Sequence, residues 1–372
     1  MLDRTDRSLI GIWWWTVDRW LLSVVLVLMA LGTILVMAAS PPVAVRIGLP
    51  EQHFVWRQLI FLLPALCMML FFSMISPRQI RVISLMGLSA AIGLMIITAI
   101  IGNEVNGATR WVSIGLFRVQ PSEFAKPFFA VICAWLLTLW RDGEDFPGWV
   151  WATSLASILV FILVLQPDIG MTSIIALTWG FQMFLAGMPM LLVLIAIALA
   201  PLCLYAAYVF LPHVETRINR FLDGGSMQTN KSIESFSEGG FFGVGPGDGQ
   251  VKLNLPDAHA DFIFSVAAEE YGVLACLFLI GLYGFFLLRG FERSSTGSSL
   301  FNLLAGAGLI MQFAVQASIH MASSVNLIPA KGMTLPLISY GGSSLVASGI
   351  TVGIILALTR DTRYRIGADD EV

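Results

Sequence analysis

Residues 19–40 read RWLLSVVLVLMALGTILVMAAS, and no Asp, Glu, Lys or Arg stands between Arg19 and Arg46. Crossing the hydrocarbon core of a bilayer takes about 20 apolar residues, so this run predicts a transmembrane helix. Ala38-Ala39-Ser40 could end a cleavable leader, but the run is longer than an ordinary signal core and reads as a retained first helix. Further apolar runs at 55–75, 79–101, 123–140, 149–166, 168–187, 188–211, 261–289, 300–322 and 343–359 repeat the pattern. The sequence therefore predicts an all-α integral membrane protein, a polytopic bundle of about ten transmembrane helices. Residues 1–18 form an N-terminal segment, 19–359 the membrane domain with a long loop at 212–260 between helices 7 and 8, and 360–372 a tail.

Composition agrees. The chain is 57% hydrophobic and only 12% charged, against roughly 25% charged in soluble domains. A net charge of −3 without any Lys/Arg block gives no sign of a nucleic-acid partner. Cys67, Cys133, Cys203 and Cys276 lie inside apolar runs without CxxC spacing, which predicts buried free thiols. The histidines are scattered and form no metal motif.

An even number of spans puts both termini on one side. Counting Lys and Arg with the N-terminus inside gives eleven against ten, so the raw count decides nothing. Position is more telling. The inside arginines sit in short polar links such as Ser76-Pro77-Arg78-Gln79, whereas several outside cations lie in Gly-rich or carboxylate-rich segments. Both termini are expected in the cytoplasm, with tryptophans at 13–15, 20, 56, 140, 149 and 151 near the helix ends.

Three outside segments stand apart: 103–122, 212–260 and 323–342. Long polar loops on one face of a terse bundle are where function belongs. In the first, Ser122 is a plausible cap for the fourth helix, and Glu123 and Lys126 share a helix face. The segment is then either a helix-start ion pair beside an interfacial Trp111, or a cationic mouth of Arg110, Arg118 and Lys126 suited to a pyrophosphate. Asp168, after Gln166-Pro167, caps the next helix, serves the site, or does both.

Gly239–Gly249 is glycine-rich but follows no strand and opens no helix, so it is no dinucleotide site. Its glycines let the backbone turn tightly or lie flat against a ligand or membrane surface. Asp261 is the last carboxylate before the eighth helix, placed either as a general base with a raised pKa or as an N-cap. Glu269 and Glu270 lie about 12 Å further along a straight helix, and one could partner a cation on a neighbouring helix. Residues 329–344, PAKGMTLPLISYGGSS, hold prolines and glycines that deny a regular helix, so they should form a re-entrant piece lining a cleft.

GxxLPxISYGGSS before the last helix, LPxAHxDFIF before a long one, and QPSEFxK after an NGxxRW segment together resemble the SEDS family of peptidoglycan glycosyltransferases. The motifs occur in the family's order from the third helix to the tenth. Pro329–Thr334 is closer to the division-type members than to the elongation-type ones. The resemblance implies a polymerase of lipid II at the division septum, with Asp261 catalytic and Trp111, Arg118, Lys126, Ser339, Tyr340, Gly341 and Gly342 at the site. Arg110, Gln120, Glu123 and Asp168 complete the candidate substrate-binding set. Ala260, Pro246–Gly249 and Ser318–His320 depart from the usual family residues but remove no catalytic group. The implied partners are lipid II, the nascent glycan strand, membrane lipid, a class B penicillin-binding transpeptidase (FtsI) and the FtsQ–FtsL–FtsB complex. Mg²⁺ or Mn²⁺ could assist the departing pyrophosphate, although no motif would hold it. Competing readings are a lipid II flippase, with charges along a path across the bilayer, and a structural scaffold for division proteins.

Overall fold

The computed structural model describes residues 8–360 apart from 106–107, 115–116, 144 and 297–298. Asn106, Gly107 and Leu116 of the first loop lie outside them, as do Arg4, Arg7, Arg363 and Arg365 of the topology count.

Ten apolar helices carry the bundle among the described residues. They are α2 (Arg19–Arg46), α3 (His53–Met74), α4 (Pro77–Ile101), α5 (Pro121–Arg141), α6 (Gly148–Leu165), α7 (Ile169–Leu185), α8 (Met190–Phe210), α11 (Ile263–Ser295), α12 (Leu300–Ser324) and α13 (Gly342–Leu358). Eight are long and apolar enough to span a bilayer, and α7 and α13 are shorter apolar helices. The caps follow local chemistry. Ser76 and Gln79 form a capping box ahead of Pro77, which costs nothing at a first helical position. Asp18 caps α2 and also receives Arg289 at 3.0 Å and Arg293 at 2.7 Å.

Close packing relies on small residues, as expected where lipid removes the hydrophobic drive between helices. A side chain at Gly349 would meet the Ala65 carbonyl oxygen at 2.4 Å, and one at Gly353 the Met69 carbonyl oxygen at 2.6 Å. These glycines, one helical turn apart, let α13 lie directly on α3. In contrast, α8 buries none of its residues.

The first and last described helices meet on one face. A short helix, α1 (Leu9–Thr16), precedes the first span, and Trp13 donates to the Ser73 hydroxyl at 2.9 Å. Arg360, just past α13, donates to Thr16 at 3.1 Å. The opposite face holds the long connections, and here the helical bundle carries a small sheet as well. Three strands between α4 and α5 pair in an antiparallel sheet: β1 (Asn103–Val105), β2 (Ala108–Ile114) and β3 (Phe117–Val119), with Val112 opposite Val119 and Ser113 opposite Arg118. The β-branched and aromatic residues of ATRWVSI favour a strand. The long loop is also structured, by α9 (Pro212–Leu222), α10 (Met227–Gly239) and a 3₁₀ turn at Val251–Asn254.

Candidate active site

Three loop segments converge on one cavity of about 940 Å³, which the starts of α3, α5 and α7 also line. Its charged lining comprises six cations (Arg57, Arg110, Arg118, Arg217, Arg220, Lys331) and four carboxylates (Glu123, Asp168, Asp257, Asp261). The excess is positive although the chain as a whole is negative.

One wall is built on Asp168. Its carboxylate accepts from the Met171 amide at 3.2 Å, capping α7, and from Gln120 Nε2 at 3.3 Å, while Arg110 Nε lies 3.7 Å away. Capping and site roles therefore coexist in one side chain. Arg110 also donates to the carbonyls of Gln166 (3.1 Å) and Pro167. The Gln120 amide reaches Ser343 at 3.4 Å, which joins the start of α5 to the start of α13. Trp111 and Arg118 reach the cavity from β2 and β3.

Behind this wall the structure corrects several expectations. Lys126 does not line the cavity. It is buried, paired with Glu123 at 2.7 Å and donating to Gln316 Oε1 at 2.6 Å, so Glu123 is the member that faces the ligand space. An ammonium beneath an apolar bundle needs such partners. Ser122 is not the α5 cap: Gln120 holds that position, and the Ser122 hydroxyl accepts from the Gln120 side chain at 3.2 Å. Ser339 also stays out of the lining. Its hydroxyl donates to the Ala260 carbonyl at 2.6 Å and accepts from the Leu335 amide at 2.8 Å. It ties the irregular segment to the Asp261 turn. Tyr340, Gly341 and Gly342 do line the cavity.

The segment before α13 has the predicted form, irregular from Pro329 to Gly341 and lining the cleft. It can lie on α2 because Gly32 is there. A side chain at that glycine would come within 2.6 Å of the Ile338 Cα.

Asp261 is half-buried on a tight turn in which its own amide donates to the Asp257 carbonyl at 2.9 Å. It is not the cap of α11, whose first residue is Ile263 and whose cap, Phe262, makes no side-chain bond. Among the described residues its carboxylate accepts no hydrogen bond, and Gly332 (φ +63°) brings backbone against it. Burial first, and then the Asp257 carboxylate, push its pKa up to about 7, with Arg217 pulling the other way. Burial and the neighbouring Arg110 hold Arg217 below the usual guanidinium value, while Asp168 opposes the shift. Lys331 is lowered as well, by burial and then by Arg217. These cations share one crowded field.

Glu269 and Glu270 prove to be architecture. Helix α11 breaks at Gly272 (φ +77°), so both glutamates stand on its short first segment, before the break, and not on the long helix that follows. Glu269 accepts from the Val251 and Lys252 amides at 2.7 and 2.9 Å, and Glu270 pairs with Lys252. The partner cation comes from the long loop, not from a neighbouring helix. The Gly-rich run wraps this corner: a side chain at Gly239 would meet the Ala268 carbonyl oxygen at 2.0 Å, and one at Gly243 the Glu270 carbonyl oxygen at 2.1 Å.

Arg57, Arg217, Arg220, Lys331 and Asp257 line the cavity although sequence reasoning did not place them at the site. A signal existed for two of them. Pro212 opens a helix, and Arg217 and Arg220 fall three apart on one face of it.

A cation-rich cavity at one end of a bundle of ten apolar helices defines a polytopic membrane protein with a candidate site on its loop face. The family model described as "Cell cycle protein", covering FtsW, RodA and SpoVE, matches residues 18–364, and the chain belongs to that family. The resemblance to SEDS proteins is borne out. Among curated relatives, the "Probable peptidoglycan glycosyltransferase FtsW" of Caulobacter vibrioides is 42% identical, over 99% of this chain and 95% of the relative. The protein of the same description from Legionella pneumophila is 31% identical over 94% and 92%. A solved peptidoglycan synthase complex, described as coordinating polymerization and crosslinking, matches with a TM-score of 0.78 at 27% identity, over 92% of this chain and 97% of the other. The Thermus thermophilus rod shape determining protein RodA matches with a TM-score of 0.69 at 26% identity, over 93% and 97%.

Proposed function

We propose that this chain is an inverting peptidoglycan glycosyltransferase that transfers the growing lipid-linked glycan strand onto lipid II during cell division. The observation that carries the reading is Asp261: a carboxyl with pKa about 7, free of hydrogen-bonding partners among the described residues, facing a cavity rich in guanidinium groups. A general base works best when its pKa lies near the working pH.

Asp261 takes the proton from the 4-hydroxyl of the acceptor N-acetylglucosamine as that oxygen attacks C1 of the strand's terminal N-acetylmuramic acid. The new C1–O bond forms opposite the C1–phosphate bond, which breaks with its electron pair going to undecaprenyl pyrophosphate, so α becomes β. Arg110, Arg217 and Lys331 meet the charge that develops on the leaving group. The residues do not fit a protein-held divalent ion. No group of three or more His, Cys, Asp or Glu suited to a metal occurs among the described residues, and Asp168 and Glu123 are committed to Arg110 and Lys126. Any Mg²⁺ or Mn²⁺ would arrive on the substrate's own phosphate oxygens.

In this reading the loop face lies outside the inner membrane at the septum and both termini lie in the cytoplasm. A class B penicillin-binding transpeptidase and the FtsQ–FtsL–FtsB complex are the partners, the former supported by the similarity to a synthase complex. The test is glycan-strand synthesis from purified lipid II with the cognate transpeptidase present. Polymer from wild type and none from folded Asp261→Asn is the expected result. No polymer from wild type would sink the reading, and lipid II translocation in vesicles would then test transport.

A further inference from the structure

The cavity has two chemically distinct sides. Asp168, Arg110 and Lys331 make one of them electrostatically dense, and Arg217 stands between it and Asp261. The other is aromatic. Phe54, His259 and Tyr340 all line the cavity, with ring centroids 4.3 Å apart for Phe54–His259 and 5.0 Å for the two other pairs.

The rings are fixed relative to Asp261. The Tyr340 amide donates to the His259 carbonyl at 2.9 Å, and Ser339 holds the Ala260 carbonyl at 2.6 Å. His259 and Asp261 share one tight turn, closed by Asp257. His259 itself is buried, a wedge behind the two more open rings. Burial holds its pKa at about 4, so it stands neutral at neutral pH and is not one of the phosphate-binding cations. The Tyr340 hydroxyl is held above its ordinary pKa by burial, with the nearby Arg57 guanidinium pulling the other way.

We infer that the Phe54 ring, with Tyr340 standing edge-to-face beside it at 71°, is the platform on which the acceptor's N-acetylhexosamine ring stacks, so that this wall is the acceptor-sugar subsite and the Asp168 wall receives the leaving pyrophosphate. The inference rests on the glycosyltransferase reading above. A pyranose turns a face of C–H groups toward its surroundings, and an aromatic ring offers a negative face to them. Hydroxyl and amide groups at the sugar's rim need planar donors and carboxylate acceptors, which Arg57 and Asp257 supply on this side. A pyrophosphate is disfavoured here because Asp257 and Asp261 both occupy this turn. The sugar on the platform is therefore the one whose hydroxyl lies within reach of the base.

The test separates stacking from chemistry. Phe54 also packs against the cluster of Leu255, Ala258 and Phe262, so Phe54→Leu keeps apolar bulk while removing the ring face, and Phe54→Tyr restores it. With lipid II and transpeptidase, Phe54→Leu should raise KM for lipid II about fivefold to tenfold with kcat nearly unchanged, and Phe54→Tyr should return KM toward wild type. A second arm needs no turnover. The soluble disaccharide N-acetylglucosaminyl-N-acetylmuramic acid, free of lipid and phosphate, is observed by saturation-transfer difference NMR on nanodisc-held protein. Its sugar-ring signals should appear with wild type, persist with Asp261→Asn and fall with Phe54→Leu. Undiminished disaccharide signals together with an unchanged KM in folded Phe54→Leu would overturn the platform, as would the absence of disaccharide signals with wild type. Loss of polymer from wild type with ring-dependent disaccharide signals intact would instead break the glycosyltransferase reading and leave the saccharide subsite standing.

Discussion

Asp261 and the Glu269–Glu270 pair lie on one continuous stretch of chain, yet their environments are opposite. Both glutamates are buried to 1% exposure; Glu269 is satisfied by two backbone amides, and Glu270 pairs through Oε1 with the Lys252 ammonium while its Oε2 lies buried without a partner. Asp261 is half-buried, accepts no hydrogen bond among the described residues, and has a second carboxylate, Asp257, on its own turn. A charge buried against its cation or its amides, and outside the cavity lining, stabilises a geometry and is closed to a substrate. A carboxyl deprived of partners beside open polar space keeps its proton near neutral pH and can exchange it. The glutamate corner holds the long loop in place; the aspartate that the loop delivers is where proton transfer can occur.

The largest effect expected from breaking this contrast is on turnover. Asp261→Asn should lower the polymerisation rate by at least ~100-fold, while its thermal unfolding temperature does not fall. The sign can be checked against pH. The folded pKa of Asp261 is raised to about 7, so between the ordinary carboxylate value and 7 the folded state holds a proton that the unfolded state has lost. Wild-type stability from this group therefore declines as pH rises through that window. Asn escapes the decline, so the variant should gain thermal stability relative to wild type at pH 8 and not at pH 4, measured in detergent by differential scanning fluorimetry.

The glutamate corner should behave the other way. Lys252→Met leaves Glu270 buried without its cation, a loss of roughly 3–5 kcal/mol for a buried pair broken on one side. The unfolding temperature should drop, and activity should fall with it. Lys252→Met combined with Glu270→Leu removes both charges and should recover most of the stability. A double variant as unstable as the single one would show that the ion pair does more than satisfy itself.

The bundle was legible in the sequence because apolar length is a local signal: all ten predicted runs recur as helices α2–α8 and α11–α13. The Pro- and Gly-rich stretch before Gly342 was legible as irregular for the same local reason. What escaped depends on partners distant in the chain. Lys126 looked like a ligand-facing cation because its screen, Glu123 and Gln316, forms only when α12 packs against α5. Ser339 looked like a substrate contact because nothing local reveals its bond to Ala260. The break at Gly272 was hidden within an apolar run, and its cause, the Phe241–Gly243 backbone pressed against that glycine, lies some thirty residues earlier in the chain. Arg217 and Arg220 were counted for topology alone, since their place at the cavity follows from where α9 docks.

The smallest effect gives the sharpest comparison, because it concerns the position of one titration and not its presence. If Asp261 is the base, log kcat/KM should rise by about one unit per pH unit below roughly 7 and level off above it. Its two charged neighbours then act in opposite directions. Asp257 raises the Asp261 pKa and Arg217 lowers it, so Asp257→Asn should move the midpoint to lower pH and Arg217→Gln should move it to higher pH. Arg217→Gln should also lower the plateau, since the same guanidinium meets the leaving pyrophosphate. Variants at the glutamate corner offer the control: the Lys252→Met, Glu270→Leu double variant, being remote from the cavity, should leave the midpoint where wild type has it. A midpoint that follows the corner and ignores Asp257 would assign the titration to the clamp and take the proton-transfer role away from Asp261.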